Sequence, residues 1–240
     1  MFIDKSDKMS LRTKKGESVT IRFEINPKAK RLILRIDEKT REAVAVAPSK
    51  RHLKEAAAFA ESRLDWLAMQ LSALPREVRL MEGAQFDYRG QPCLISGEGL
   101  GRRAYISDVD PLTLHAPGLP ETLSSRVLRF LKADAKAHLT HAVEAYCDRL
   151  GVAARRVTVK DTRSRWGSCT SDGRLAFSWR LIMAPPPVLE YVAAHECAHL
   201  LEMNHSAAFW AHVARCRPAY KAERNWLRRN GRQLHAVTAD

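Results

Sequence analysis

The chain has 240 residues, of which 45% are apolar and 28% charged, with a formal charge of +13. This composition is that of a globular protein and excludes disorder as the default; the length suffices for one large domain or two small ones, each with its own core. The excess of 40 basic over 27 acidic residues would attract a phosphate-rich or acidic partner, with a merely basic, solvated surface as the equal alternative.

Five cysteines, Cys93, Cys147, Cys169, Cys197 and Cys216, include no C-x-x-C pair, which suits a reducing compartment better than a disulfide framework. The first residues, Met-Phe-Ile-Asp-Lys-Ser-Asp-Lys, contain no apolar signal segment. Charges or prolines break every apolar run short of a membrane span, so a cytoplasmic protein without a membrane partner is expected. Oligomeric state is not encoded in these features.

In chain order, Val19 to Ala47 alternates with Val19, Ile21, Phe23 and Ile25 on one parity, predicting two or three strands. Leu53, Ala57, Ala60, Leu64, Leu67 and Leu71 then recur at helical spacing, predicting one helix over about 51–74, ended by Pro75. Short apolar runs among glycines and prolines from 80 to 120 read as hairpins and turns. Glu121 to Leu150 is a long amphipathic helix closed by Gly151. Val157 to Lys160 and Leu175 to Trp179 are expected strands, with Ser171-Asp172-Gly173 as a tight turn. A further helix starts in Pro185-Pro186-Pro187, since proline is tolerated in a first turn. The expected fold is α+β: a β-rich region with one helix over 1–120, then a region over 121–240 of packed helices and a small sheet that opens with the long helix.

That last helix contains His195-Glu196-Cys197-Ala198-His199. Residues four apart share one helical face, so two imidazoles can reach one ion, while Glu196 can face a water beside it as general base. A catalytic zinc usually takes three protein ligands and keeps one position open. His205 is the candidate third, with Glu202, His212 and Cys169 as alternatives. In an unbroken helix His205 would lie about 240° around from His199. The helix must therefore stop between them, with Asn204 as a left-handed stop and Ser206 as the next N-cap.

The stretch Asp161-Thr162-Arg163-Ser164-Arg165-Trp166-Gly167-Ser168-Cys169, then Trp179-Arg180-Leu181-Ile182, Tyr191 to Leu200, Asn204-His205-Ser206, Phe209-Trp210, Pro218-Ala219-Tyr220 and Trp226-Leu227 resembles the YgjP-like zinc metallopeptidases, relatives of the SprT-like and wider zincin group. The resemblance is tight over about 155–230. It implies a zincin-like catalytic region with a small sheet and packed helices, Zn2+ on His195, His199 and His205, Glu196 as base, and the Arg165 to Cys169 stretch beside the metal helix. Cys197 departs from the aliphatic residue expected inside the motif.

Arg163 and Arg165 are candidates for binding a substrate carboxylate or an oxyanion. Trp166 reads as a core anchor and Gly167 as a bulge or close-approach residue. Phe209, Trp210, Val213, Trp226 and Leu227 read as packing behind the metal helix. Arg215, Arg217, Lys221, Arg224, Arg228, Arg229 and Arg232 face Glu223 alone, as a solvated face or a nucleic-acid contact. The expected activity is zinc-dependent hydrolysis of a peptide or protein; the alternative is a nucleic-acid-binding protein with a structural or vestigial metal site, or a peptidase recruited to nucleic acid.

Overall fold

A computed structural model describes residues 8–38, 40–162 and 164–239. The chain forms two compact units, one ending at Pro75 and the other beginning at Arg76.

The first unit is a four-stranded sheet with two helices. Strands β1 (Lys8–Arg12), β2 (Ser18–Ile25), β3 (Ile33–Asp37) and β4 (Glu42–Ala47) take the order β1-β2-β4-β3, with β2 and β4 parallel and the other pairs antiparallel. The alternation works as expected: Val19, Ile21 and Phe23 are buried, each contributing about 1.5–3 kcal/mol of burial. Helices α1 (Leu53–Ser62) and α2 (Leu64–Ser72) supply Leu53, Ala56, Ala60 and Leu67 to the same core. The single helix expected over 51–74 is thus two. The backbone leaves helical geometry at Arg63 (φ −116°, ψ 18°), whose N–H bonds back to Ala60 and Glu61 carbonyls; the apolar spacing runs through this break unchanged.

The second unit opens with β5 (Val78–Arg79) and the sheet β6 (Gln85–Tyr88), β7 (Gln91–Ser96), β8 (Tyr105–Ser107) and β9 (Thr113–His115), ordered β6-β7-β9-β8. Then come α3 (Leu123–Leu150), β10 (Arg156–Lys160), β11 (Gly167–Cys169), β12 (Arg174–Ser178), a 3-10 turn over Trp179–Met183, α4 (Pro186–Ala198), α5 (Ala207–Cys216), α6 (Tyr220–His235) and β13 (Val237–Thr238). Strand β12 is central in β10-β12-β11, parallel to β10 and antiparallel to β11, and β13 pairs with β5. The division into compact units falls after Pro75. Phe86, Cys93, Ile95 and Leu114 of the β6–β9 sheet share one core with Val127, Leu131 and Leu139 of α3, so the change from strand to helix at 120 is not a change of core.

Two local devices shape this unit, and the first fixes the start of α4. The β6–β7 turn has positive φ at both Arg89 (53°) and Gly90 (79°), the conformation that matches a two-residue hairpin to the twist of its strands. Its N–H groups donate to the Ile182 and Met183 carbonyls at 2.9 Å each, clamping the segment before Pro186. At the end of α3, Gly151 takes the left-handed conformation (φ 71°) and Val152 N–H donates to Cys147 O at 3.0 Å, the expected glycine stop. No helix among the described residues is long and apolar enough to cross a membrane.

Candidate metal centre

Helix α4 is buried along most of its length and ends at Ala198, with His199 as a right-handed cap (φ −66°, ψ −17°). The chain then turns through Leu201 to His205, and Ser206 opens α5 by accepting the Phe209 N–H at 3.2 Å. The stop demanded by the angular argument is present, as is the Ser206 cap. Asn204 is not left-handed, however: among the described residues only Arg41 and Arg89 are non-glycines with positive φ. Asn204 instead accepts the Ser206 N–H on its side-chain oxygen at 3.1 Å, a local turn bond that places His205 without a strained backbone.

The consequence is that His195, His199 and His205 converge, with one nitrogen from each lying within 4.8 Å of the others. Nε2 of His195 and Nε2 of His205 are 3.2 Å apart. Two nitrogens held roughly 2.0–2.1 Å from one tetrahedral zinc would lie about 3.3 Å apart, so this spacing fits such an ion. His199 Nδ1–H donates to the Glu202 carbonyl at 2.9 Å, which leaves its Nε2 lone pair free, as a metal-facing imidazole requires. Nδ1 of His195 is buried without a hydrogen-bond partner among the described residues, the one loose end in the set. Glu202 enters through its backbone, while His212 and Cys169 lie outside the converging trio.

Burial dominates the electrostatics. It pushes His195 down to about 3, helped by His199, His205 and Arg224. It also lowers His199, with His205 adding to the effect and the Glu202 carbonyl opposing it. Both rings are thereby kept neutral, the form that can donate a lone pair. Glu196, only 5% exposed, is pushed up to about 8 by burial, against the opposing charge of Arg165.

Gly167 of β11 abuts this carboxylate: a Cβ there would fall 2.6 Å from Cγ and 2.7 Å from Cδ of Glu196. Trp166 next to it stacks on His235 of α6, ring centroids 4.3 Å apart, and so anchors the strand. Arg165 is exposed and reaches Glu196 through its charge; Arg163 lies outside the described residues.

Phe209 is fully buried in the core, as expected. Its ring centroid lies 4.9, 4.5 and 4.7 Å from those of His195, His199 and His205, forming an apolar floor under all three. Trp210 flanks His195 and His205 at 5.8 and 5.9 Å and carries Arg224 over its face at 4.8 Å. Helical spacing marked both aromatics but could not say which surface they cover. Of the basic run, Arg217 is committed internally, to Glu190 at 2.5 Å and to Glu223, while Lys221, Arg224, Arg228, Arg229 and Arg232 are exposed.

A family profile described as "YgjP-like, metallopeptidase domain" matches residues 30–230. No curated protein matches the chain. Among solved structures, the chain is similar to the metallopeptidase zymogen abylysin of Pyrococcus abyssi, at 19% identity and a TM-score of 0.35, over 38% of this chain and 93% of that one. Because the profile spans most of its length, the chain belongs to the YgjP-like family of metallopeptidases.

Proposed function

We propose that the protein is a zinc-dependent peptidase in which His195, His199 and His205 hold the metal and Glu196 is the general base. The observation carrying this reading is the convergence of three imidazole nitrogens within 4.8 Å, beside a buried carboxylate from the same helix. Imidazole donors suit zinc, and a structural site would fill its fourth position with protein and need no neighbouring base. Bound there, zinc would polarise a scissile carbonyl and acidify water.

The chain's own residues account for the rest. Glu196, whose protonated form burial favours in the metal-free protein, is shifted toward the carboxylate by a cation beside it. A Glu196 oxygen then accepts the water's proton and later delivers it to the leaving nitrogen. The missing side chain at Gly167 leaves room for that carboxylate. Phe209 excludes water from beneath the histidines, and the exposed Arg165 supplies positive charge for a substrate carboxylate or a developing oxyanion. Arg163 is proposed for the same role on sequence grounds.

Peptide or protein is the substrate class, and a cytoplasmic location is proposed from the five unpaired cysteines. Nucleic-acid recruitment would rest on the exposed cations of α6. The test is metal analysis of the purified protein together with hydrolysis of a peptide mixture: about one zinc per chain and zinc-dependent cleavage are expected, whereas a chain that takes up no zinc contradicts the proposal.

A further inference from the structure

The sheet of the first unit has an open flank. β3 pairs only with β4 and has no second partner strand among the described residues. A groove of about 550 Å³ runs along it, between Leu32, Ile33 and Leu34 on one side and Phe59 and Trp66 of the two helices on the other. Leu32 and Leu34 pack on the unit's core yet stay only half-buried, and Ile33 and Trp66 remain 40% and 42% exposed. These side chains are arranged as the edge of a sheet-and-helix layer that would continue if another strand were added.

Charge narrows the identity of that strand. Arg31 and Arg63 both line the groove and are exposed, and among the described residues neither forms an ion pair. Arg35 on the same strand, by contrast, pairs with Glu24 at 2.9 Å. A strand edge offers unpaired backbone N–H and C=O groups, which give affinity, while grooves for alternate side chains give selectivity. A second copy of this chain would bring two sets of these arginines together. A nucleic-acid strand would need a series of phosphate contacts rather than two cations beside an apolar wall.

We propose that this groove docks an extended segment of another protein, which adds as a fifth strand to β3. Its apolar side chains lie between Leu34 and Trp66, and its acidic side chains meet Arg31 and Arg63. The site stands apart from the metallopeptidase reading and does not depend on it.

The test uses the full chain, labelled with nitrogen-15, and three probes: a blocked decapeptide alternating Val and Glu, its Val and Lys counterpart, and an oligodeoxythymidylate. The Glu peptide should move the amide signals of Ile33–Asp37 and the Trp66 indole, and bind at least about tenfold more tightly than the Lys peptide. The double variant Arg31→Glu/Arg63→Glu, checked for an unchanged melting temperature, should weaken that binding by at least about tenfold. If the double variant does not fold, Arg31→Gln alone should still weaken it. The proposal is overturned if the Glu peptide leaves β3 signals in place, if the two peptides bind equally, or if the oligonucleotide binds in preference. It is equally overturned if the chain forms a dimer that Ile33→Glu abolishes.

Discussion

Gly167 and Glu196 are in such close approach that no side chain fits between them: a Cβ on Gly167 would fall 2.6 Å from Cγ of Glu196. Both neighbours are constrained, Gly167 by its pairing to Phe177 in β12 and Glu196 by the buried helix α4. Gly167→Ala must therefore displace the carboxylate or the strand. The expected cost is about 1–3 kcal/mol of stability. Hydrolysis should fall by roughly 10²-fold, because a shift near 1 Å spoils proton transfer. Zinc content should hold near one equivalent, since no proposed ligand is touched. Thermal unfolding, metal analysis and cleavage rates check the three parts separately.

His205 is placed by the turn that Asn204 and Ser206 build. Ser206→Ala removes the acceptor for the Phe209 N–H and should cost about 1 kcal/mol. It should also speed zinc loss to a chelator, without abolishing binding. His205→Ala and His199→Ala should each remove zinc and activity together. A Ser206→Ala protein that released zinc no faster than the parent would separate the cap from the metal.

Much of this site was legible in the sequence for a geometric reason. The spacing of His195 and His199 on one helical face, and the 240° mismatch of His205, are consequences of helix pitch alone, and they demand the break that follows Ala198. The form of the break was not legible, because right-handed and left-handed stops differ by contacts such as Asn204 to Ser206 that composition does not rank. The same limit hid the break at Arg63, where the apolar spacing continues through the change in backbone geometry. It also hid the core shared by Leu131 and Ile95, which pairs residues far apart in sequence. Phe209 carried the periodic signal of a core residue, and its place under the histidines depends on how α5 docks.

Arg180 is 1% exposed and pairs with Asp161 while donating to the Val237 carbonyl at 3.1 Å. Removing the acid leaves a buried cation with one partner fewer, but Asp161 itself is half exposed and water partly replaces it, so Asp161→Ala should cost about 1–3 kcal/mol, and Arg180→Met clearly less. Burial by itself would raise the Asp161 carboxyl, but the Arg180 guanidinium outweighs it and holds the group below its usual range. With the folded value below the unfolded one, the pair's contribution is present above the ordinary carboxylate range. It fades as pH falls through the lower folded value. Melting temperatures of parent and Asp161→Ala should therefore converge only in strong acid; a gap that closed already near neutrality would contradict the assignment.

Arg228 and Arg229 lie exposed on α6. If this face recruits the peptidase to nucleic acid, the double change to Glu should weaken binding of DNA or RNA and flatten its dependence on salt. A parent protein that binds neither at low salt would leave these residues as a solvated face.

The central claim is that Glu196 moves protons during peptide hydrolysis, and Glu196→Gln tests it most directly, because the amide keeps the shape of the side chain and removes none of the three histidines. Measured side by side with the parent, the variant should retain about one zinc per chain and its fold. It should lose about 10²- to 10⁴-fold in kcat on a verified peptide substrate. A zinc-loaded Glu196→Gln protein, free of contaminating protease, that cleaved the same peptide at the parent rate would contradict it.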